Sequence, residues 1–280
     1  MKNENTIEGI VAVVEGREPG PRAVVFAAVH GDEPCGVIAF ERIIPSLELA
    51  RGSATFVIAN PRALAEKRRF TEANLNRLFR SDAELDDAKR ASYEYARSRE
   101  LMPLLEKADA LLDIHSSESP KADPFIVCGE ASRKIAERMP FPIISWGWDT
   151  PQVEPGGTDD FMERMGKIGI CIECGFDTAA STADKAEESV RRFLALMGLT
   201  DESVPERDGT QKALRAVYAH IAKENFVPSA LVPDFEPVEK GTLIGTDGTT
   251  EMRAPKDGYL IFVRAREGAG QEAYVFAEDA

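Results

Sequence analysis

The sequence predicts an α/β fold: a central β-sheet with helices on both faces, followed by a small C-terminal all-β domain. Three observations carry this. From about residue 22 to residue 197, short apolar runs rich in Val, Ile and Phe alternate with segments whose apolar residues recur at helical spacing. A polar stretch, Thr200 to Thr210, then interrupts the pattern and contains Pro205 and Gly209. Beyond it come short strand-like runs broken by Gly241, Gly245, Gly248, Gly258, Gly268 and Gly270. The division expected is 1–200 as one domain and 201–280 as a second that caps the first.

In order, Thr6 to Glu15 reads as a strand and Gly16 to Gly20 as a turn. Arg22 to Val29 is apolar enough for a strand buried on both faces. Val37 to Ile44 reads as a helix, and Pro34 suits its first turn, where a missing N–H is no loss. Ser53 to Ala59 is another strand, ending at Asn60-Pro61. Arg62 to Arg80 is irregular and strongly basic. Asp82 to Lys107 places Leu85, Ala88, Tyr95, Leu101 and Leu105 at helical spacing and reads as one helix, with Pro103 near its end. Ala108 to Ile114 is a strand, with His115 just after it. Phe125 to Cys128, Ile135 to Met139 and Ile143-Ile144 continue the alternation, and Trp146 to Gly157 is a loop. Asp159 to Met165 looks helical, Ile168 to Cys174 is a buried strand, and Thr182 to Met197 is a closing helix.

The formal net charge of −14 argues against nucleic acid as a general partner, because phosphates would be repelled. A local arginine cluster can still hold a small anion. No apolar run approaches the ~20 residues that span a bilayer, so no membrane partner is expected. The polar start, Met1 to Asn5, has no signal-peptide pattern. Four cysteines in 280 residues do not make a disulfide framework. The expectation is a cytoplasmic protein with reduced thiols, with homo-oligomerisation left open.

The chemistry centres on His30-Gly31-Asp32-Glu33, between a strand and a helix, where open α/β sheets place their ligand sites. Histidine nitrogen and glutamate oxygen both bind zinc, and a catalytic zinc takes three protein ligands plus water. The chain has only three histidines, so the search for a third ligand is short. His115 ends a strand as His30 does, and Asp113 could orient its ring. His220 lies in the C-terminal part and reads as structural or surface. Glu173 ends an apolar strand, where a carboxylate is costly to bury, and reads as a general base. Cys171 and Cys174 form a CxxC spacing but read as core packing. Arg69 and Asn74 to Arg77 are the anion-binding candidates, since a guanidinium forks onto a carboxylate and an arginine near a metal can stabilise an oxyanion.

Taken together, His30-Gly-Asp-Glu33, Asn60-Pro-Arg62, Arg69, Leu75-Asn76-Arg77-Leu-Phe79, Asp113-Ile-His115 and Glu173-Cys-Gly175 resemble the succinylglutamate desuccinylase/aspartoacylase family of zinc carboxypeptidase-like hydrolases. The resemblance covers roughly residues 22 to 200 and implies a mixed central sheet. It implies one zinc per chain, bound by His30, Glu33 and His115, with Asp113 behind the ligands. It implies Glu173 as general base and acid, Arg69 polarising the scissile carbonyl, and Asn76 with Arg77 holding a substrate carboxylate. The implied reaction is hydrolysis of a small N-acyl amino acid by metal-activated water. A carboxypeptidase acting on short peptides, or a non-catalytic metal-containing binding protein, are the alternatives. Asn74 stands where the family often has Asp, and Arg164 is the candidate for the family's further substrate arginine.

Overall fold

The centre of the molecule is a run of parallel strands that are apolar because both of their faces are covered. It is seen in a computed structural model that describes residues 7–153, 155–206 and 210–280. Strand β1 (Ile10–Glu15) pairs antiparallel with β3 (Arg51–Ile58) at one edge. Then β3, β2 (Glu18–Ala27), β4 (Ala110–Ser117) and β7 (Ile168–Phe176) run parallel. Strand β5 (Phe125–Cys128) turns against β7, while β6 (Ile143–Trp146) runs parallel to β5. The sheet is therefore mixed.

Helices cover both faces. Helix α1 (Cys35–Ile43) and the long C-terminal helix of this region, Ala180–Leu196, bury one apolar stripe against Val25, Ala27, Leu112, Ile114, Ile170 and Ile172. The opposite face, with Val24, Phe26 and Leu111, packs on Leu101 and Leu105 of the Tyr93–Lys107 helix and on Phe161 and Met162 of the Thr158–Arg164 helix. In chain order the helices after α1 are α2 (Pro61–Glu66), α3 (Asp87–Arg90), α4 (Tyr93–Lys107), α5 (Arg133–Ala136), α6 (Thr158–Arg164) and α7 (Ala180–Leu196). No helix among the described residues is long and apolar enough to cross a membrane.

The C-terminal part shares this sheet. Strand β8 (Lys212–Ile221) pairs parallel with β6, Ile143 facing Lys212 and Ser145 facing Leu214. After β9 (Phe226–Pro228), β10 (Glu236–Val238), β11 (Leu243–Asp247), β12 (Thr250–Arg253) and β13 (Gly258–Ile261) comes β14 (Glu272–Asp279). The eleven-stranded order is β1-β3-β2-β4-β7-β5-β6-β8-β14-β13-β10, and β12-β11-β9 form a separate antiparallel sheet. Phe125, Val127 and Cys171 meet Leu214, Phe235, Ile261 and Val275 in one core cluster, which joins the C-terminal strands to the central sheet. His220 is buried between the two sheets, its Nε2 3.0 Å from Asp247 Oδ2 and its Nδ1 2.9 Å from Tyr218 OH, so it serves the fold.

Several elements differ from the sequence reading, each for a local reason. Thr6 and residues 207–209 of the expected linker lie outside the described residues. Strand β2 begins at Glu18, inside the expected turn, because Glu18 already pairs with Arg51 before the register shifts to Arg22 and Ser53. The basic stretch after Pro61 opens with helix α2, since Asn60 Oδ1 accepts from Ala63 N–H and Pro61 fits the first helical position. The single helix expected over Asp82 to Lys107 is three pieces: a 3-10 turn, Asp82–Glu84, the short α3 and the long α4. Asp86 caps α3 through Lys89 N–H, and Ser92 caps α4 through Tyr95 N–H, so each new cap ends the preceding turn. Strand β4 runs through His115 to Ser117, so His115 lies within a strand.

Candidate active site

The turn after β2 and the far end of β4 are neighbours because Ala27 pairs with Ile114. That register brings His30 and Glu33 of the turn up to His115. The turn itself lies flat on α2: a Cβ on Gly31 would sit 2.0 Å from the Ala63 carbonyl carbon, so only glycine permits this approach. Gly31 N–H also donates to Arg69 O, which ties the arginine-bearing loop to the turn.

His30, Glu33 and His115 are all buried. His30 Nδ1 lies 2.8 Å from Glu33 Oε1, His115 Nδ1 lies 2.8 Å from Glu33 Oε2, and the two Nδ1 atoms are 3.2 Å apart. Each ring is held from behind. His30 Nε2 donates to Asn74 Oδ1 at 3.0 Å, and His115 Nε2 lies 3.1 Å from Asp113 Oδ2. Asp113 Oδ2 in turn accepts from Thr158 Oγ1. With an oxygen beyond each outer nitrogen, both inner nitrogens face one point. Asn74 does this with a neutral amide oxygen.

This arrangement fits a divalent cation. The three donor atoms lie within 4.8 Å of one another. Metal–nitrogen bonds of ~2.0–2.1 Å at a tetrahedral angle separate two nitrogens by about 3.3 Å, close to the 3.2 Å observed. Two buried nitrogens this near need a proton or a cation between them. The electrostatics agree. Burial and the Arg69 guanidinium pull His30 down to about 4, leaving it a neutral imidazole near pH 7. Burial opposes charge on His115, but Asp113, Cys171 and Glu33 together outweigh it and lift the ring well above the usual histidine range. Burial would raise Glu33, yet the two imidazoles outweigh it and hold the carboxyl well below the usual carboxylate range.

Glu173 of β7 is paired with His115 across the parallel ladder, so both point to the same side of the sheet. Its Oε2 is buried and accepts no hydrogen bond among the described residues. Burial and the neighbouring Glu33 charge lift it well above the usual carboxylate range, which favours proton uptake. Arg69 donates from one terminal nitrogen to Glu33 Oε1 at 2.9 Å and remains about two-fifths exposed to the cleft.

Asn76 Oδ1 accepts from Thr158 N–H at 3.1 Å, which leaves its amide nitrogen as the donor toward the cleft. Arg77 donates to Asn76 O at 2.9 Å and lies 3.6 Å from Glu272 Oε2. The surface acids near it in sequence are engaged elsewhere: Glu72 with Arg62 and Tyr93 N–H, Asp82 with Tyr95 and Arg99. Arg164 is not among the residues lining the cleft. It donates to Phe79 O and pairs with Asp160 at 3.4 Å, so it supports α6. The cleft, about 650 Å³, is lined by Arg69, Arg77 and Glu173 from the first part and by Phe262, Arg264 and Glu272 from the C-terminal part. These last three carry no motif in the sequence, and only the sheet order brings them here.

Glu94 was also invisible as a functional residue. From the first turn of α4 its buried carboxylate accepts Thr71 N–H at 2.6 Å, Thr71 Oγ1–H at 2.7 Å, Glu72 N–H at 3.1 Å and Ala73 N–H at 3.0 Å. It thus clamps the loop that delivers Asn74, Asn76 and Arg77. Glu94→Ala is expected to cost about 2–4 kcal/mol of unfolding free energy, since buried N–H groups lose a charged acceptor. Burial alone would raise Glu94, but the bonds from Thr71 and Ala73 outweigh it and lower its pKa below 4.5. A carboxyl lowered by folding contributes fully above its unfolded pKa, near 4.5, and that contribution fades as pH falls through the folded value. Denaturant melts from neutral to acid pH check this: below about pH 4.5 Glu94→Gln should lose stability less steeply than wild type.

A family model of the succinylglutamate desuccinylase/aspartoacylase catalytic domain matches residues 19–197. Succinylglutamate desuccinylase of Pseudoalteromonas atlantica is 24% identical over 95% of this chain and 83% of that protein. The N-acyl-aromatic-L-amino acid amidohydrolase (carboxylate-forming) of Mus musculus is 32% identical over 57% of this chain, and the match spans about half, 54%, of that protein. A crystal structure of succinylglutamate desuccinylase from Vibrio cholerae superposes with a TM-score of 0.74 at 19% identity, covering 93% of this chain and 82% of that one.

Proposed function

Because this chain belongs to the succinylglutamate desuccinylase/aspartoacylase family, we propose that it hydrolyses the amide bond of a small N-acyl amino acid with a free carboxylate, using one zinc held by His30, Glu33 and His115. The observation that carries this reading is the buried His–Glu–His donor set with Glu173 in register beside His115. Two imidazoles and one carboxylate suit zinc, whereas magnesium and calcium favour oxygen ligands throughout. When bound, zinc supplies Lewis acidity that makes water a competent nucleophile near neutral pH.

The chain's own residues do the rest. Glu173 takes a proton from the attacking water and returns it to the leaving amine nitrogen. Arg69 donates to the carbonyl oxygen as negative charge develops there. The amide nitrogen of Asn76 and the guanidinium of Arg77 hold the carboxylate of the amino-acid part. No covalent intermediate is needed: the four cysteines are buried, and burial pushes the Cys171 and Cys174 thiols up, away from the reactive thiolate. In this reading residues 1–200 carry the catalysis and residues 201–280 cap the cleft.

Elemental analysis of the purified protein tests the metal, with about one zinc per chain expected in wild type and a large loss in His115→Ala. Undiminished zinc in that variant would remove His115 from the ligand set. Amine release from a panel of N-acyl amino acids tests the reaction, with short peptides run beside them. Turnover of peptides alone would make the protein a carboxypeptidase, and ligand binding without turnover of either would make it a binding protein.

A further inference from the structure

Helix α6 reaches both halves of the site through its first residue, Thr158, which is 0% exposed. Its hydroxyl donates to Asp113 Oδ2, the same oxygen that lies 3.1 Å from His115 Nε2. Its backbone N–H donates to Asn76 Oδ1 at 3.1 Å. The partners stand 45 and 82 residues back along the chain, so neither bond is a local turn contact. None of the catalytic steps proposed above uses Thr158.

Each partner needs what Thr158 supplies. The Asp113 carboxylate is fully buried, and among the described residues its Oδ1 has no hydrogen-bond partner. The last torsion of an aspartate is soft, so a contact besides the imidazole is what fixes the oxygen that faces His115. The Asn76 amide can present either its oxygen or its nitrogen to the cleft. A backbone N–H only donates, so it holds the amide oxygen and leaves the nitrogen facing outward. The ground on which Thr158 stands is firm. Gly156 has φ +115°, a Cβ on it would lie 2.8 Å from Arg77 O, and its own O accepts from Phe79 N–H at 3.2 Å. Arg164, in the last turn of α6, donates to Phe79 O, while Phe161 and Met162 seat the helix on the central sheet.

We propose that Thr158 is a positioning residue that ties the metal ligands to the substrate-carboxylate loop, its hydroxyl holding His115 through Asp113 and its N–H aiming the Asn76 amide. This rests on the metal-dependent deacylase reading above. A buried threonine that only fills space would affect stability and neither of these groups.

The probe for the metal half is zinc ion alone, titrated into metal-free protein against a chromophoric chelator. Thr158→Val removes the hydroxyl, keeps the N–H and changes volume little. Loss of a group that orients a metal ligand costs about 10- to 100-fold in affinity, and Thr158 acts one bond further out, so about tenfold weaker zinc is expected. Thr158→Ala, which puts no methyl against the carboxylate, should lose as much, and Thr158→Ser should restore wild-type affinity. In an Asp113→Ala background Thr158→Val should weaken zinc no further, because the hydroxyl acts through Asp113. Thr158→Pro removes the N–H as well. Proline suits the first position of a helix, and Gly157, at φ −68° and ψ 166°, suits the residue before it. In Thr158→Pro the kcat/KM preference for a substrate carboxylate over its carboxamide should fall about tenfold, while Thr158→Val keeps the wild-type ratio. Wild-type zinc affinity in Thr158→Val and Thr158→Ala, or a further loss in the Asp113→Ala background, would overturn the metal half. An unaltered acid preference in Thr158→Pro would overturn the substrate half. Absence of turnover for every acyl amino acid would overturn the deacylase reading alone, and the zinc titration would still decide whether Thr158 positions His115.

Discussion

Glu173→Gln is expected to keep its metal and lose about 10²- to 10⁴-fold in kcat. The substitution is nearly isosteric, and Glu173 is not among the donor atoms that converge beside Glu33. The ligand set therefore survives, while the group that accepts and returns the proton is gone. Glu173 suits the task because its surroundings raise its proton affinity: burial acts first, then the Glu33 charge, while His115, Arg264 and Arg69 pull the other way. Burial and the Glu33 charge favour uptake of the proton, and the neighbouring cations favour its return. The measurement is kcat under saturating substrate, with zinc quantified in the same sample. A loss confined to KM would indicate that Glu173 only shapes the cleft. Near wild-type turnover with zinc intact would leave the proton transfers to another group.

What was legible in the sequence was local. His30 and Glu33 stand three residues apart in one turn, so a strand followed by a helix is enough to aim both. His115 was found by scarcity, since a chain with three histidines offers few combinations. Glu173 announced itself as a carboxylate within an apolar strand, a costly placement that asks for a reason. The loop Asn74 to Arg77 was recognisable from its residue types, although its clamp was not. Glu94 grips that loop from 21 to 23 residues away, and no periodicity encodes such a bond.

The less legible features were those decided by strand order or by competing local signals. Asp86 and Ser92 are good N-caps and were present to be read, but the apolar spacing from Leu85 to Leu105 argued for one helix. In the fold the caps prevailed, because each satisfies a free backbone N–H as the chain turns. Asn60-Pro61 ends a strand and also starts α2, and only the first role is visible without the neighbouring turn. The placement of β8 beside β6 has no local signature at all. It depends on Leu214, Ala216 and Ala219 finding the apolar face left by Phe125 and Val127. That single pairing carries β13, β14 and the arginines between them to the cleft. A reading that treats the last eighty residues as an appendage reaches their fold class without reaching their chemistry.

Arg77→Ala is expected to cost roughly 2–5 kcal/mol in kcat/KM, the range for removing one partner of a desolvated charge pair. Arg77 lines the cleft, and its side chain is mostly buried between Asn76 and Glu272. A guanidinium so placed binds a carboxylate with two parallel donors, which a neutral amide cannot match. The same loss should therefore appear in wild type when the substrate's free carboxylate is replaced by a carboxamide. In Arg77→Ala the acid and the amide should be hydrolysed at similar rates, with zinc content unchanged. The competing account is structural: Arg77 holds the Asn76 carbonyl and sits 3.6 Å from Glu272, so it could serve to fix the loop. That account predicts lower thermal stability and equal losses for acid and amide, leaving their ratio as in wild type. The two accounts separate on that ratio, because loop disorder weakens both substrates alike, while loss of the guanidinium penalises the acid alone.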